Sequence, residues 1–233
     1  MHEHVIAIDG PAGSGKSTAA HRLAAAIGYT HLNTGAMYRA VAYVAREGGI
    51  DLDDEAKSGM VADVARRIKF AYRIIDDKQR FIINGIDRTD ALFTASLTQQ
   101  LKPVVNNMEV REALVKKMRE SVDDFLAHGM KGVVMEGRDI GTVVFPDSPL
   151  KFYIHADLDA RTQRRAAELK ARNEIVDIDG LRKDIQYRDE TDRQREHGAL
   201  KQAPDAVDID TTNLDEEATL QRLLAEVRAR NMA

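Results

Sequence analysis

The chain contains no cysteine in its 233 residues, which excludes disulfide bonds and thiol catalysis. No apolar run approaches the roughly 20 residues of a membrane-spanning helix, and the first residues carry no secretory pattern. The net charge of −4 argues against a general nucleic-acid binder, which needs a basic surface to neutralise phosphates. There is no internal repeat and no low-complexity tract. With 43% hydrophobic residues the chain has material for a packed core, so disorder is not the default. These absences lead us to expect a soluble, cytoplasmic protein with no membrane or nucleic-acid partner; a monomer is the working expectation. Its length suits one large domain, or one domain with an insertion. His2 and His4 lie close together, but without further ligands they read as a disordered terminus rather than a metal site.

What the chain does have is concentrated near its start. Gly10, Pro11, Ala12, Gly13, Ser14, Gly15, Lys16, Ser17 and Thr18 follow the apolar run Val5-Ile6-Ala7-Ile8 and precede a helix-favouring segment, Ala19 to Ile27. Strand, glycine loop and helix in this order give the G-x-x-x-x-G-K-[ST] pattern its structural context, the phosphate-binding P-loop. Backbone N–H groups of a tightly curled loop, joined by the helix N-terminus, point at an anion. Lys16 is placed to reach the β- and γ-phosphates, and the Ser17 hydroxyl to bind Mg²⁺. The motif signals binding of a nucleoside triphosphate and does not say what happens to its γ-phosphate.

Further along, Asn33-Thr34-Gly35-Ala36-Met37-Tyr38-Arg39 opens a second helix, with Asn33 or Thr34 as its cap and Gly48-Gly49 as its stop. For Arg39, an exposed helix residue and a clamp on an anionic substrate are equally compatible with the spacing. Residues 54–67 read as helix. Residues 68–74 and 80–84 then read as a hairpin, and Asn84-Gly85 adds a turn signal. A small inserted subdomain is expected over about residues 60–95. Helices are expected over 91–101 and 107–128, split near Pro103. In the second, Val110, Leu114, Val115, Met118, Val122 and Leu126 form an apolar stripe. Arg111 lies beside that stripe, where a surface salt bridge is its plain reading, and Met108 and Met118 read as core filler.

Val133-Val134-Met135 reads as a buried parallel strand, with Glu136, Arg138 and Asp139 beyond its carboxyl end, where open α/β sheets bind ligands. Leu150 to His155 reads as another strand, its terminal His155 more often structural than catalytic. The next helix carries Arg161, Arg164 and Arg165 on one face. Arg188, Asp192 and Arg195 follow at i, i+4 and i+7, after a polar connector around 170–180. Guanidinium forks bind phosphoryl oxygens bidentately, so residues 157–198 read as a lid that closes over phosphates. A strand at 206–210 and a helix at 215–230 complete an α/β three-layer P-loop fold with a five-stranded parallel sheet.

Two functional classes compete, a small-molecule kinase and a nucleotide switch or motor. The guanine-reading Asn/Thr-Lys-x-Asp tetrapeptide is absent, since Thr212-Asn213-Leu214-Asp215 lacks the lysine. No extended apolar strand ends in Asp-Glu. The arginine lid favours the kinase, because phosphoryl transfer needs positioning, water exclusion and positive charge.

The chain resembles the bacterial cytidylate kinases, of the nucleoside monophosphate kinase group, over nearly its whole length. The resemblance rests on Ile8-Asp9-Gly10-Pro11 and the P-loop, Thr34 to Arg39, Val110 to Leu114, Gly137 to Asp147, the Arg188-Asp189, Asp192 and Arg195 set, and Asp210-Thr211-Thr212. The hairpin region resembles the substrate-side insertion of the bacterial type. The resemblance implies transfer from ATP to CMP or dCMP. It places Arg39 and Arg138 on the acceptor phosphate, with Thr34 among the substrate-side residues. It places Arg111, Asp139 and Arg195 on cytosine, and Arg188 and Asp192 near the sugar. Lys16, Arg188 and the helix arginines Arg161, Arg164 or Arg165 would neutralise the moving phosphoryl group. Lys102 stands where the family commonly has serine, Glu136 where aspartate is frequent, and Thr34 in place of a common serine.

Overall fold

The computed structural model describes residues 3–75, 78–171 and 174–232. His2, the Asp76-Asp77 part of the hairpin connector and Arg172-Asn173 of the expected lid connector lie outside the described residues. In chain order the elements are β1 (Val5–Asp9), α1 (Lys16–Ile27), β2 (Thr30–Asn33), α2 (Thr34–Glu47), α3 (Ser58–Arg67), β3 (Phe70–Ile75), β4 (Lys78–Ile83), β5 (Ile86–Asp87), α4 (Thr89–Leu92), α5 (Ala95–Gln99), α6 (Leu101–Asn106), α7 (Met108–Ala127), β6 (Val133–Gly137), β7 (Leu150–His155), α8 (Leu158–Ala171), α9 (Ile178–Gln194), β8 (Val207–Asp210) and α10 (Glu216–Ala229). The chain divides into two compact units, Met1–Leu32 with Phe125–Ala233, and Asn33–Asp124.

The first unit is built on a five-stranded parallel sheet in the order β2-β6-β1-β7-β8. Every residue of β1 and β6 is buried, as expected of central strands whose two faces are both covered. Ile6, Ile8, Phe152 and Ile154 pack with Leu23 of α1 and Leu223 of α10 in one apolar core. The strands expected near 5–8, 133–135, 150–155 and 206–210 all form within a residue or two of those bounds, and β2 completes the expected five. Gly10 follows β1 where a Cβ would stand 1.9 Å from the Ile154 carbonyl oxygen, with φ at +157°. Only glycine lets the chain leave the sheet there. Asp215 caps α10, its Oδ1 accepting the Ala218 N–H at 2.7 Å. A π-helical segment, Ile140–Val144, follows β6 and was not legible in the sequence.

The second unit carries the antiparallel sheet β3-β4-β5. Phe81 packs between Tyr72 and Phe93, with ring centroids 5.4 and 5.5 Å away. The Asn84-Gly85 turn, with φ of 50° and 87°, returns the chain into β5. That third strand was missed because two residues carry no periodicity. Asn33 caps α2 through Oδ1, which accepts the Ala36 N–H at 3.2 Å.

Two expectations need correction here. Residues 91–101 are not one helix, and Pro103 does not mark the split. Pro103 lies in the first turn of α6, where its missing N–H has no helical partner to lose. The break falls at Asn107, whose Oδ1 caps α7 by accepting the Val110 N–H at 3.1 Å. Met118 is core, 1% exposed, whereas Met108 is 42% exposed, since it begins the helix ahead of the buried stripe.

Candidate active site

The P-loop reads into α1 as its sequence requires. Gly15 precedes the helix with φ at +83°, and the first bond of the helical ladder runs from the Ala19 N–H to the Gly15 oxygen. The N–H groups ahead of Ala19 therefore stand outside that ladder, which is the anion-binding feature of a helix start. Lys16 is buried, and its Nζ donates to the Pro11 carbonyl at 3.1 Å. Burial first, and the Arg138 guanidinium second, lower its pKa to about 7, against the pull of Glu136 and Asp192; Arg188 adds to the lowering. A buried lysine beside guanidiniums at a phosphate-binding loop is a candidate contact for an anion.

Glu136 ends β6 beside the loop and is 2% exposed. Its Oε2 accepts the Ser17 hydroxyl at 2.6 Å, and its Oε1 lies 3.2 Å from His31 Nε2. Burial pushes this carboxyl up, but His31, Lys16 and Ser17 outweigh it and leave its pKa below the usual value. Asp9, at the end of β1, accepts the Ile140 and Gly141 N–H groups, each at 2.8 Å. It thereby shapes the segment that follows Arg138 and Asp139. Burial raises Asp9 to about 7 in spite of those two bonds. Asp139 is itself buried, 6% exposed.

Arg138 Nε donates to Asp192 Oδ2 at 2.8 Å, and Arg195 Nη2 to Asp192 Oδ1 at 2.5 Å. Asp192 thus holds two guanidiniums that the sequence left more than fifty residues apart. Burial raises its carboxyl, and Arg138, Arg195 and Arg188 bring it back below the ordinary range. Arg188 is crowded by Arg138 and Arg165; desolvation, and then Arg138, lower its pKa.

The three arginines of α8 share a helical face but end in three places. Arg161 is buried; it donates to the Ala156 and Ala12 carbonyls at 3.0 and 3.1 Å and pairs with Asp189 at 2.6 Å. Arg164 binds the Thr211 hydroxyl at 3.1 Å and the Thr211 and Leu214 carbonyls after β8. Arg165 pairs with Glu168 at 2.7 Å on the exposed side. His155 lies 3.0 Å from Asp208 across the β7–β8 pair, the structural reading of that residue.

In the second unit, Thr34 is buried at the start of α2. Arg39 Nη1 donates to the Thr98 hydroxyl at 2.7 Å and the Leu92 carbonyl at 3.3 Å, with its guanidinium 5.4 Å from the Phe93 ring. Arg111 is not the surface residue its position beside the stripe suggests. It is 5% exposed, donates to the Val105 carbonyl at 3.3 Å and lies over Tyr38. Lys102 is exposed on α6.

The model of the family described as cytidylate kinase matches residues 6–229. The chain belongs to the cytidylate kinase family. It is 40% identical to a cytidylate kinase of Geobacter sulfurreducens over 98% of this chain and 94% of that one. It is 38% identical to one from Pseudomonas syringae pv. tomato, over 98% and 97%. It is 40% identical to one from Geobacillus kaustophilus, over 97% and 96%.

Against that family, the residues that sequence reasoning left unassigned are Asp9, His31, Glu136 and Asp189. Glu136 had a signal, a carboxylate at the carboxyl end of an apolar strand, but nothing in the sequence pairs it with Ser17. His31 and Asp189 had none, since their partners are far away in sequence. The Ser17 hydroxyl is a hard oxygen donor that suits Mg²⁺, and Glu136 accepts its O–H. Among the described residues no group of three or more His, Asp or Glu side chains could hold a metal by itself. A single hydroxyl from the chain suits an ion that keeps waters and is shared with substrate phosphates.

Proposed function

We propose that this chain transfers the γ-phosphoryl group of ATP to CMP and dCMP, giving ADP with CDP or dCDP. The observation that carries this reading is the cationic cluster around Lys16, in a chain of the cytidylate kinase family. Arg138 and Arg188 both lie near enough to Lys16 to lower its pKa, and Arg138 lowers that of Arg188, an arrangement that a polyphosphate relieves. In phosphoryl transfer the protein's task is positioning and charge stabilisation rather than covalent chemistry.

In this reading the loop from Gly10 to Thr18 cradles the ATP phosphates. Lys16 leaves the Pro11 carbonyl for the β- and γ-phosphates. Mg²⁺ would be held by the Ser17 hydroxyl with Glu136 beside it, and it supplies charge neutralisation across the phosphates. Arg138 and Arg39 take the acceptor phosphate; Thr34 lies on the substrate side. Asp139, Arg111 and Arg195 read cytosine, and Asp192 the sugar. Asp139 accepts from the exocyclic amine of cytosine, where uracil presents an oxygen that an ionised carboxylate repels.

Residues 157–198, with α8 and α9, act as the lid. Arg188 is the guanidinium we assign to the transferring group, with Arg165 next to it. Arg161 and Arg164 contribute through the P-loop and the Thr211 segment that they hold. Residues 60–95 serve as the substrate-side insertion. Among the described residues no helix is long and apolar enough to cross a membrane. A monomer working on free nucleotides in the cytoplasm is the setting we propose.

The test is coupled ADP release with ATP and Mg²⁺ against CMP, dCMP, UMP, AMP, GMP and shikimate. Turnover confined to CMP and dCMP is the expected result. Hydrolysis without any acceptor overturns the reading.

A further inference from the structure

His31 has no part in the mechanism above, yet it is fixed against the most consequential carboxylate of the P-loop. It lies on β2, the edge strand next to β6. Its side chain is 9% exposed and that of Glu136 is 3% exposed. The two oxygens of Glu136 have different neighbours: Oε2 takes the Ser17 hydroxyl at 2.6 Å and Oε1 faces His31 Nε2 at 3.2 Å. An ionised carboxylate only accepts hydrogen bonds, so Nε2 is the donor. On its other side the imidazole meets His21 of α1 edge-on, with ring centroids 5.9 Å apart. The ring is therefore held by both the sheet edge and the P-loop helix.

The chemistry of Ser17 gives this contact a purpose. A serine hydroxyl that meets a cation through its lone pairs must send its proton away from the cation. Glu136 Oε2 is where that proton goes. A glutamate carboxylate on three rotatable bonds holds that orientation only if its second oxygen is anchored too. We infer that His31 is a positioning residue for the cation of the phosphoryl donor. Its Nε2–H anchors Glu136, so that Glu136 accepts the Ser17 O–H and the Ser17 lone pairs face the phosphate-bound cation. The inference rests on the kinase reading for the cation's presence; its geometry is that of the free protein.

Partners that orient a metal's ligands typically alter affinity by 10–100-fold when removed. The experiment is calorimetric titration of ADP, once with Mg²⁺ and once with excess EDTA, for the wild type, His31→Leu and His31→Gln. Leucine fills the space without a donor, and glutamine restores an N–H near the place of Nε2. For His31→Leu the gain in ADP affinity on adding Mg²⁺ falls about tenfold, while binding in EDTA stays within about twofold. His31→Gln recovers most of the gain. Equal losses with and without metal would assign the ring to packing alone and overturn the inference. So would an unchanged metal-dependent gain, or a glutamine variant no better than leucine. A wild type that gains nothing from Mg²⁺ overturns it as well. A wild type that gains from Mg²⁺ but does not phosphorylate CMP overturns the kinase reading instead, so the two failures are distinct.

Discussion

Arg161 and Asp189 meet at 2.6 Å in a buried ion pair between α8 and α9. The same guanidinium holds the Ala12 carbonyl of the P-loop, so one side chain links the loop to both helices. Asp189 Oδ1 is buried and has no hydrogen-bond partner among the described residues. Removing the carboxylate strands a buried charge, a loss of about 3–5 kcal/mol. Asp189→Ala should therefore destabilise the chain by roughly that amount. Asp189→Asn keeps an acceptor for Arg161 and should cost clearly less, about 1–2 kcal/mol. Urea unfolding of the three proteins checks the order; equal stability of Ala and wild type would show that the pair contributes nothing.

Asp9 gives a pH dependence with a defined sign. Burial lifts its pKa from 3.8 to about 7 in the folded chain. As pH rises, the unfolded chain loses this proton first. The group therefore adds stability below about pH 4, and that contribution fades as pH climbs through about 7. Asp9→Asn cannot titrate, so the stability gap between wild type and variant should narrow between about pH 5.5 and pH 8, by on the order of 2 kcal/mol. Denaturant curves at the two pH values measure it. A gap that widens with pH would mean that the two N–H bonds from Ile140 and Gly141 dominate over burial.

The sheet was legible because its strands are apolar runs bounded by turns, and the P-loop because its spacing is demanded by the phosphate. Where the guanidiniums end was not legible. Helical spacing fixes the Cβ positions of Arg161, Arg164 and Arg165, but each long side chain ends where an acceptor waits: Ala12, Thr211 or Glu168. Arg111 looked like a surface residue for a related reason, since Tyr38 and the Val105 carbonyl that cover it lie on other elements. Pro103 misled because a proline breaks a helix interior but is tolerated in a first turn. Glu136 was visible as a charge at a strand end; that it faces Ser17 is set by the β1–β6 pairing, which places Ile8 against Glu136.

Base choice tests Asp139. A carboxylate that accepts from the cytosine amine should discriminate against uracil by about 1–3 kcal/mol. Asp139→Ala should lower the CMP-over-UMP ratio of kcat/KM by at least about tenfold, most of it through slower CMP turnover. Asp139→Asn can turn its amide toward the uracil oxygen and should raise UMP turnover above that of the alanine variant. The ratio is read from steady-state rates with each acceptor. An intact ratio in Asp139→Ala would remove this residue from base recognition.

Arg188 carries the strongest kinetic expectation. It stands with Arg138 and Arg165 among the carboxylates of Asp192 and Asp189, and a phosphoryl group is a further anion for these guanidiniums to share. If that anion is the phosphoryl group in flight, the guanidinium acts mainly on the transition state, and its loss appears in kcat rather than in KM. A single arginine in that role is worth about 10³–10⁵ in rate in P-loop enzymes. Arg188→Ala should therefore lower kcat by about 10³ or more while moving KM for ATP and CMP by less than about tenfold. Arg188→Lys keeps the charge but loses the planar fork, and should recover only part of the rate. Steady-state kinetics with both substrates varied separate the two constants. A kcat within about threefold of wild type would take Arg188 out of the reaction. A rise confined to KM would make it a ground-state contact, and the transition-state role would pass to Arg165, its neighbour across α8 and α9.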